Sequence, residues 1–166
     1  MRISESPSLT GNELVGFSDA DWGASMDDRR SYTGYVFKLA GGAISWSSRK
    51  QKTVAMSSAE AEYMALSEAA KETIYTRRFL SEVVGKLDTT MLFCDNQSAG
   101  LIAKNPVFHE RTKHIDLRHH FVREAVENGE LKIGYLPTED MPADVLTKGL
   151  SIPKHEKCIK NIDLKN

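Results

Sequence analysis

The chain has 166 residues, of which 40% are hydrophobic and 27% charged, and its formal net charge is −1 at pH 7. This composition is typical of one soluble globular domain with a substantial core. The near-neutral charge excludes an overall attraction to nucleic acid, so any such binding must come from local basic patches. Two cysteines are too few for a disulfide framework, and no signal peptide or membrane-spanning run is recognisable.

The first half of the chain predicts three antiparallel strands followed by a long helix. Residues 1–12 are polar and rich in turn formers, which indicates a linker or the end of the expressed chain. Ser57 and Glu60 fit a capping box in which Glu60 reaches back to the cap, and Gly85 ends the helix after about Val84. The three strands are predicted at residues 14–21, 32–39 and 43–48.

The second half predicts two further strands that are connected by helices. A helix begins at Asn96 or Gln97 and breaks at residues 105–106, and another covers residues 115–128 before Gly129. A short helix at residues 142–150 completes a domain that spans residues 13–150, and residues 151–166 form a C-terminal tail with room for a short helix. The two strands are predicted at residues 91–94 and 131–136. This order predicts an α/β fold with a mixed sheet of five strands, three antiparallel and two parallel, flanked by helices.

Four acidic residues stand where carboxylates are costly or well placed for a ligand. Asp19 and Asp95 end apolar runs, Glu62 lies on the predicted buried stripe of the long helix, and Asp144 opens the last helix. Each has an ordinary structural interpretation, as a turn former, an N-cap or a partner of a helix dipole. Together they predict a site for divalent cations, because unpaired buried carboxylates are costly. Asp21 follows two residues after Asp19 and shares its face on a regular strand.

Several motifs resemble the ribonuclease H domain of copia-type LTR retrotransposon polyproteins. They are SDADWG, RRSYTGYVF, ISWSSRKQKTVAMSSAEAEYMAL, CDNQSA, NPVFHERTKHIDLRHHFVRE and PADVLTKGL, and the resemblance runs from about Gly16 to Leu150. It implies a ribonuclease H-like fold and cleavage of the RNA strand of RNA–DNA hybrids during reverse transcription. It also places the family's catalytic and metal-binding D-E-D-D set at Asp19, Glu62, Asp95 and Asp144.

The chain departs from cellular members of this superfamily at two places. Asp19 is followed by Ala20 and Asp21 instead of Gly-Ser, so Asp21 is an additional candidate ligand. The loop before Asp144, residues 137–141, has no histidine, which argues against proton transfer or product release assisted by a histidine from this loop. Glu139 or Asp140 are candidates to replace it, although a solvated acidic turn is the simpler interpretation.

The expected cofactor is a pair of Mg²⁺ ions, with Mn²⁺ as a substitute, because hard oxygen ligands predominate. Asp19 and Asp95 are the expected shared ligands, with Glu62 and Asp144 each beside one ion. Substrate contacts are expected from basic and small polar side chains near the acids, although solvated faces and helix capping explain them equally well. These candidates are Arg49, Lys50, Lys52, Asn96, Gln97, Ser98, Arg111, Lys113 and His114.

The expected partners are the RNA–DNA hybrid and the reverse transcriptase polymerase domain of the same polyprotein. The isolated domain is expected to be a monomer without membrane contacts, located in cytoplasmic virus-like particles. Three alternatives remain open at this level: a catalytically weak hybrid-binding or polymerase-packing module, a host-domesticated fragment, and an integrase-like strand-transfer core. The acid order disfavours the last, because there the glutamate comes on a late helix.

Overall fold

Five strands form one mixed sheet in the order β3-β2-β1-β4-β5. The computed structural model of the chain describes residues 13–97 and 113–164, without the side chains of residues 113–116 and 119. β1 pairs antiparallel with β2 and parallel with β4, β2 pairs antiparallel with β3, and β4 pairs parallel with β5. This confirms the predicted fold class. The strands are β1 Leu14–Asp21, β2 Tyr32–Leu39, β3 Gly42–Lys50, β4 Thr90–Cys94 and β5 Leu131–Tyr135.

Three α-helices lie within the described residues: α1 Ser58–Val84, α2 Lys113–Glu127 and α3 Ile152–Asn161. The helix predicted at residues 142–150 is wrong in type and length, because the structure has a 3₁₀ turn at Pro142–Leu146. The segment packs closely over Gly34 of β2, and this contact favours the tighter 3₁₀ geometry. The linker predicted at residues 1–12 and most of the helix predicted from Asn96 or Gln97 to residues 105–106 lie outside the described residues.

The start of α1 follows from its side chains. Ser57 is the N-cap, and its hydroxyl accepts a hydrogen bond from the Glu60 amide at 3.2 Å, as a capping box predicts. The Glu60 carboxylate accepts from the Met56 amide at 2.9 Å, one residue before the expected donor. Gly85 ends the helix with a φ of 83°, a conformation that favours glycine.

The helices cover both faces of the sheet. Phe37 on β2 points into a core formed with α1, whereas the adjacent Val36 points to the opposite face and packs near Met141 and Ile162. The buried stripe of α1 that helical periodicity predicts is confirmed except at Val84, which is exposed at the helix end. Its other residues are Leu66, Ala69, Ala70, Thr73 and Leu80. No helix in residues 13–97 or 113–164 is both long and apolar enough to cross a membrane.

Both tryptophans lie farther outward than expected. The sequence predicts Trp22 and Trp46 in the core or at its rim, but they are 54% and 62% exposed. The Trp22 indole donates to the Ala55 carbonyl at 3.1 Å, and Trp46 lines an apolar groove between β3, the 3₁₀ turn Pro142–Leu146 and α3. Neither residue therefore contributes to the core interior.

Candidate metal and nuclease site

Strand pairing brings Asp19 and Asp95 together at one edge of the sheet. β1 and β4 run parallel, and Ser18 is the register partner of Cys94. The residues that follow each of them, Asp19 and Asp95, therefore lie side by side at the carboxyl ends of their strands. Ligands bind at this edge in open sheets with helical crossovers. Asp19 is fully buried, whereas Asp95 is partly exposed.

Glu62 approaches the same edge from the beginning of α1. Its Oε1 accepts a hydrogen bond from the Ala20 amide at 3.1 Å, which fixes the carboxylate against β1. Its Oε2 is buried and has no hydrogen-bond partner among the described residues. One carboxylate oxygen each from Asp19, Glu62 and Asp95 lies within 4.8 Å of the others. These three side chains form what we call the acidic triad.

Asp144 is buried beside the triad but is held by lysines. The 3₁₀ turn Pro142–Leu146 presents its carboxylate, which has no exposed surface. Lys148 Nζ lies 3.0 Å from Asp144 Oδ1 and 2.8 Å from Asp19 Oδ1, so one ammonium group bridges the two carboxylates. Lys154 on α3 contacts the other oxygen of Asp144. Asp144 thus joins Asp19 through a lysine instead of extending the triad directly.

Two threonines complete the hydrogen bonding of the aspartates. Thr147 donates to Asp19 Oδ2, and Thr138 donates to Asp95 Oδ2 at 2.7 Å. The sequence analysis missed both threonines and both lysines. A signal existed only for Lys148, since it follows Asp144 by four residues.

Burial and mutual repulsion raise the pKa values of two triad acids. Burial raises the pKa of Glu62 to about 9, with the nearby charges of Asp19 and Asp95 adding to the effect. Burial also raises the pKa of Asp19 to about 6, against the lowering influence of Lys148 and Thr147. The pKa of Lys148 is raised, because attraction to Asp19 and Asp144 outweighs the effect of its own burial. Burial of these two carboxylates therefore favours their protonated forms, in spite of the nearby Lys148.

The donor set suits a hard divalent cation. Three carboxylates converge, and the buried Glu62 Oε2 still lacks a partner within the described part of the chain. Oxygen-only donors favour Mg²⁺ or Mn²⁺ over softer metals. Asp21 is partly exposed and does not belong to this group.

The predicted substrate contacts fall on two parts of the surface. Arg49, Lys50 and Lys52 are exposed at the end of β3 and line a hollow with Lys71 and Arg118. Asn96 is partly exposed and Gln97 exposed, both directly after Asp95. Ser98 and Arg111 lie outside the described residues, as do the side chains of Lys113 and His114, which belong to α2.

The loop before Asp144 contributes a salt bridge at the surface. Glu139 and Asp140 lie in the 3₁₀ turn Thr138–Asp140, and Lys157 contacts Asp140 Oδ1 at 2.7 Å. The Lys157 ammonium also donates to the Glu139 carbonyl at 2.9 Å. These contacts agree with the simpler interpretation of a solvated acidic turn.

The chain is similar to Pol polyproteins of retrotransposons. It is 47% identical over 145 residues to the retrovirus-related Pol polyprotein from transposon TNT 1-94 of Nicotiana tabacum, covering 87% of this chain and 11% of the relative. It is 43% identical over 139 residues to that from transposon RE2 of Arabidopsis thaliana, covering 83% and 10%. The Ty1-DR5 Gag-Pol polyprotein of Saccharomyces cerevisiae is 29% identical over 147 residues, covering 88% and 8%. The chain thus spans about a tenth of the length of these relatives. No family model matches it.

Solved structures share the fold at low sequence identity. LC11-RNase H1, isolated from compost by a metagenomic approach, superposes with a TM-score of 0.59 at 20% identity, covering 82% of this chain and 93% of that one. The same protein in complex with RNA/DNA hybrid gives 0.57 at 17% identity, covering 81% and 94%. The prototype foamy virus protease-reverse transcriptase gives 0.53 at 12% identity, covering 99% of this chain and 22% of that one. The ribonuclease H-like fold predicted from the sequence is therefore confirmed.

Proposed function

Since the chain belongs to the ribonuclease H domains of copia/Ty1-type retrotransposon Pol polyproteins, we propose that it is a metal-dependent endonuclease acting on RNA–DNA hybrids. Its product would be a nicked RNA strand during reverse transcription. One observation carries the proposal: three carboxylates from β1, α1 and the end of β4 converge on one point at the sheet edge. A structural role alone gives no reason to bury acids together.

The chain's residues fit divalent ions, with Mg²⁺ expected and Mn²⁺ as a substitute. Asp19, Glu62 and Asp95 would hold the first ion, and Asp19 with Asp144 would contribute to a second. When bound, such ions activate water for in-line attack on a phosphate and stabilise the leaving 3′ oxygen. The unpartnered Glu62 Oε2 supports this assignment, because a cation would satisfy it.

The surrounding side chains orient the acids. The Ala20 amide fixes Glu62, while Thr138 and Thr147 fix Asp95 and Asp19. A carboxylate held by such a donor is already oriented before a cation binds. Its side chain therefore loses little conformational entropy on binding. Asp21 remains an additional candidate ligand.

Hybrid binding would depend on the basic end of β3. Arg49, Lys50 and Lys52 are placed to contact phosphates, while Asn96 and Gln97 beside Asp95 are placed to contact 2′-hydroxyl groups. Lys50 is the weakest candidate of the three cations, because Asp28 already pairs with it at 3.0 Å. The remaining candidates, Ser98, Arg111, Lys113 and His114, keep this role as predictions from the sequence.

The larger context is part of the proposal. Residues 13–150 would form the nuclease domain. Residues 151–166 would form a C-terminal tail, whose helix α3 packs against this domain. The names of the relatives support a polymerase domain of the same polyprotein as partner. Action in cytoplasmic virus-like particles stays a prediction from the sequence.

The test uses labelled RNA–DNA hybrid, double-stranded RNA and duplex DNA, each with Mg²⁺ or with a chelator. We expect cleavage of the hybrid's RNA strand only, and only with metal. Asp95→Asn should lower this cleavage by about 100-fold or more, because the amide loses the charge that holds a cation. The fold should persist, since the amide oxygen still accepts from Thr138.

Asp88→Asn is the matched control, because Asp88 is an exposed aspartate in the segment before β4. Full activity of Asp95→Asn would contradict the assignment of the site. Tight hybrid binding by the unsubstituted protein without any cleavage would instead favour the hybrid-binding module.

A further inference from the structure

A lysine ammonium lies where two buried carboxylates of the site meet. Lys148 Nζ is 2.8 Å from Asp19 Oδ1 and 3.0 Å from Asp144 Oδ1. The two carboxylates have no exposed surface, whereas the Lys148 side chain is 27% exposed. This is not an ordinary surface ion pair, because one cation neutralises two acids inside the protein.

The other oxygens of these two carboxylates are also occupied. Thr147 donates to Asp19 Oδ2, and Lys154 contacts Asp144 Oδ2. The chain therefore supplies a donor to every oxygen of Asp19 and Asp144. In contrast, Glu62 in the acidic triad retains a buried oxygen without a partner among the described residues. An external cation at the Asp19–Asp144 pair must therefore displace a donor of the protein, whereas Glu62 offers an oxygen that no described donor occupies.

We propose that Lys148 acts as a built-in cation that occupies the Asp19–Asp144 position until a divalent ion displaces it. This inference rests on the proposed function, which assigns the acids to metal binding. Ions would then bind in a fixed order: the first at the acidic triad, and the second only as Lys148 leaves. Lys148 is in this sense a positioning residue that sets the affinity of the second ion.

Electrostatics and chain geometry support the exchange. An ammonium and a divalent ion within about 4 Å of each other repel strongly at the effective dielectric of a protein, so both cannot share the position. Lysine has a long flexible stem, and Lys148 is followed by the exposed Gly149. It is therefore free to swing towards solvent. Lys154 contacts the opposite oxygen of Asp144 and so can keep that carboxylate oriented while Lys148 leaves.

The test is a calorimetric titration of the intact chain with Mn²⁺ in the absence of nucleic acid. The unsubstituted protein should bind one ion tightly and a second more weakly. Lys148→Met removes the competing charge and should tighten binding of the second ion by about tenfold or more. Lys148→Arg retains the charge and should bind the second ion at least as weakly as the unsubstituted protein.

Lys157→Met is the matched control, since Lys157 pairs with the exposed Asp140 outside the triad. It should leave both binding steps unchanged. Urea unfolding, measured once in chelator and once with Mn²⁺, provides a second readout. Lys148→Met should be the less stable protein without metal and should gain more stability from Mn²⁺ than the unsubstituted protein does.

The outcomes separate the inference from the proposed function. A first ion that binds normally, with a second that binds Lys148→Met no more tightly, overturns only the inference. Absence of any Mn²⁺ binding to the unsubstituted protein overturns both. If Lys148→Met is unfolded in chelator, its folding is followed against Mn²⁺ concentration: a dependence on two ions supports the exchange, and failure to fold at saturating Mn²⁺ contradicts it.

Discussion

Glu62 shows how the site lowers the stability of the folded protein when no cation is bound. The residue is 6% exposed, and its carboxylate has only the Ala20 amide as a described donor and faces the charges of Asp19 and Asp95. The Ala20 amide and Lys148 lower its pKa, yet burial keeps that pKa at about 9. An acid of this kind favours the folded state only while it is neutral.

The first prediction concerns the stability of the metal-free protein as pH rises. The unfolded chain releases the Glu62 proton near pH 4.5, whereas the folded protein keeps it to about pH 9. The folded state therefore binds more protons in this window, and the free energy of unfolding falls as pH increases. Asp19, whose pKa is raised to about 6, adds a smaller fall at lower pH. Urea unfolding in chelator at pH 5 to 9 measures the effect.

Glu62→Gln isolates the contribution of this one carboxylate. Glutamine cannot ionise and still accepts from the Ala20 amide, so the variant should lose most of the slope. At pH 9 it should be more stable than the unsubstituted protein by about 1–3 kcal/mol. Glu82→Gln changes an exposed glutamate of the same helix and should leave the slope intact. Parallel curves for Glu62→Gln and the unsubstituted protein would refute this explanation.

Among single residues, the sequence singled out the four acids but not the side chains that contact them. Helical periodicity separates Glu62 from Glu60, because Glu60 has a capping role and Glu62 lies on the buried stripe. The partnership between Lys148 and Asp19 joins residues that are far apart in the chain, and no periodicity encodes it. It arises only when the turn that carries Asp144 packs against β1 and β2.

Among the elements, that turn is the part of the site that depends most on close packing. Gly34 on β2 is the register partner of Asp19 on β1, and the turn lies directly over it. A Cβ atom at position 34 would lie 2.7 Å from Thr147 Cγ2 and 2.8 Å from Leu146 Cβ. Only glycine allows the backbone of β2 to approach the turn this closely.

The second prediction is that Gly34→Ala moves the turn away from the sheet. The new methyl group should lower the free energy of unfolding by about 1–3 kcal/mol, as overpacking does elsewhere. It should also reduce hybrid cleavage, because Thr147 and Lys148 would shift relative to Asp19. Urea unfolding and the cleavage assay measure the two effects.

Gly42→Ala is the control, since a Cβ atom at position 42 has open space around it. It should change stability by less than about 1 kcal/mol and leave cleavage unchanged. Equal losses in the two variants would show that the close approach over Gly34 does not matter.

Elements with strong local signals were predicted closely, and those that depend on packing were not. Alternation and the turn before β3 define the first strands, and Ser57 with Gly85 marks both ends of α1. The turn around Asp144 lacks such a signal: Pro142 opens a helix or a 3₁₀ turn equally well, and the contact with Gly34 decides between them. Tertiary packing overrode local propensity there.

Across the whole molecule, a net charge of −1 makes nucleic-acid binding a local property. The basic hollow at the end of β3 includes cations that already have acidic partners. Arg118 lies 3.1 Å from Glu68, and Lys50 lies 3.0 Å from Asp28. Such cations release fewer counterions from a bound nucleic acid than unpaired ones do.

The third prediction ranks these cations by the salt dependence of hybrid binding. Binding is measured in the Asp95→Asn background, so that the hybrid stays intact, across a series of salt concentrations. Arg49→Ala and Lys52→Ala should each weaken binding and reduce the slope of log affinity against log salt by about one, as expected for the loss of one phosphate contact. Lys50→Ala should have a smaller effect, because Asp28 competes for its charge.

Lys132→Ala is the control: it removes an exposed cation from β5, at the opposite edge of the sheet from β3, and should leave the slope unchanged. A loss of slope in Lys132→Ala as large as in Arg49→Ala would place the hybrid elsewhere on the surface.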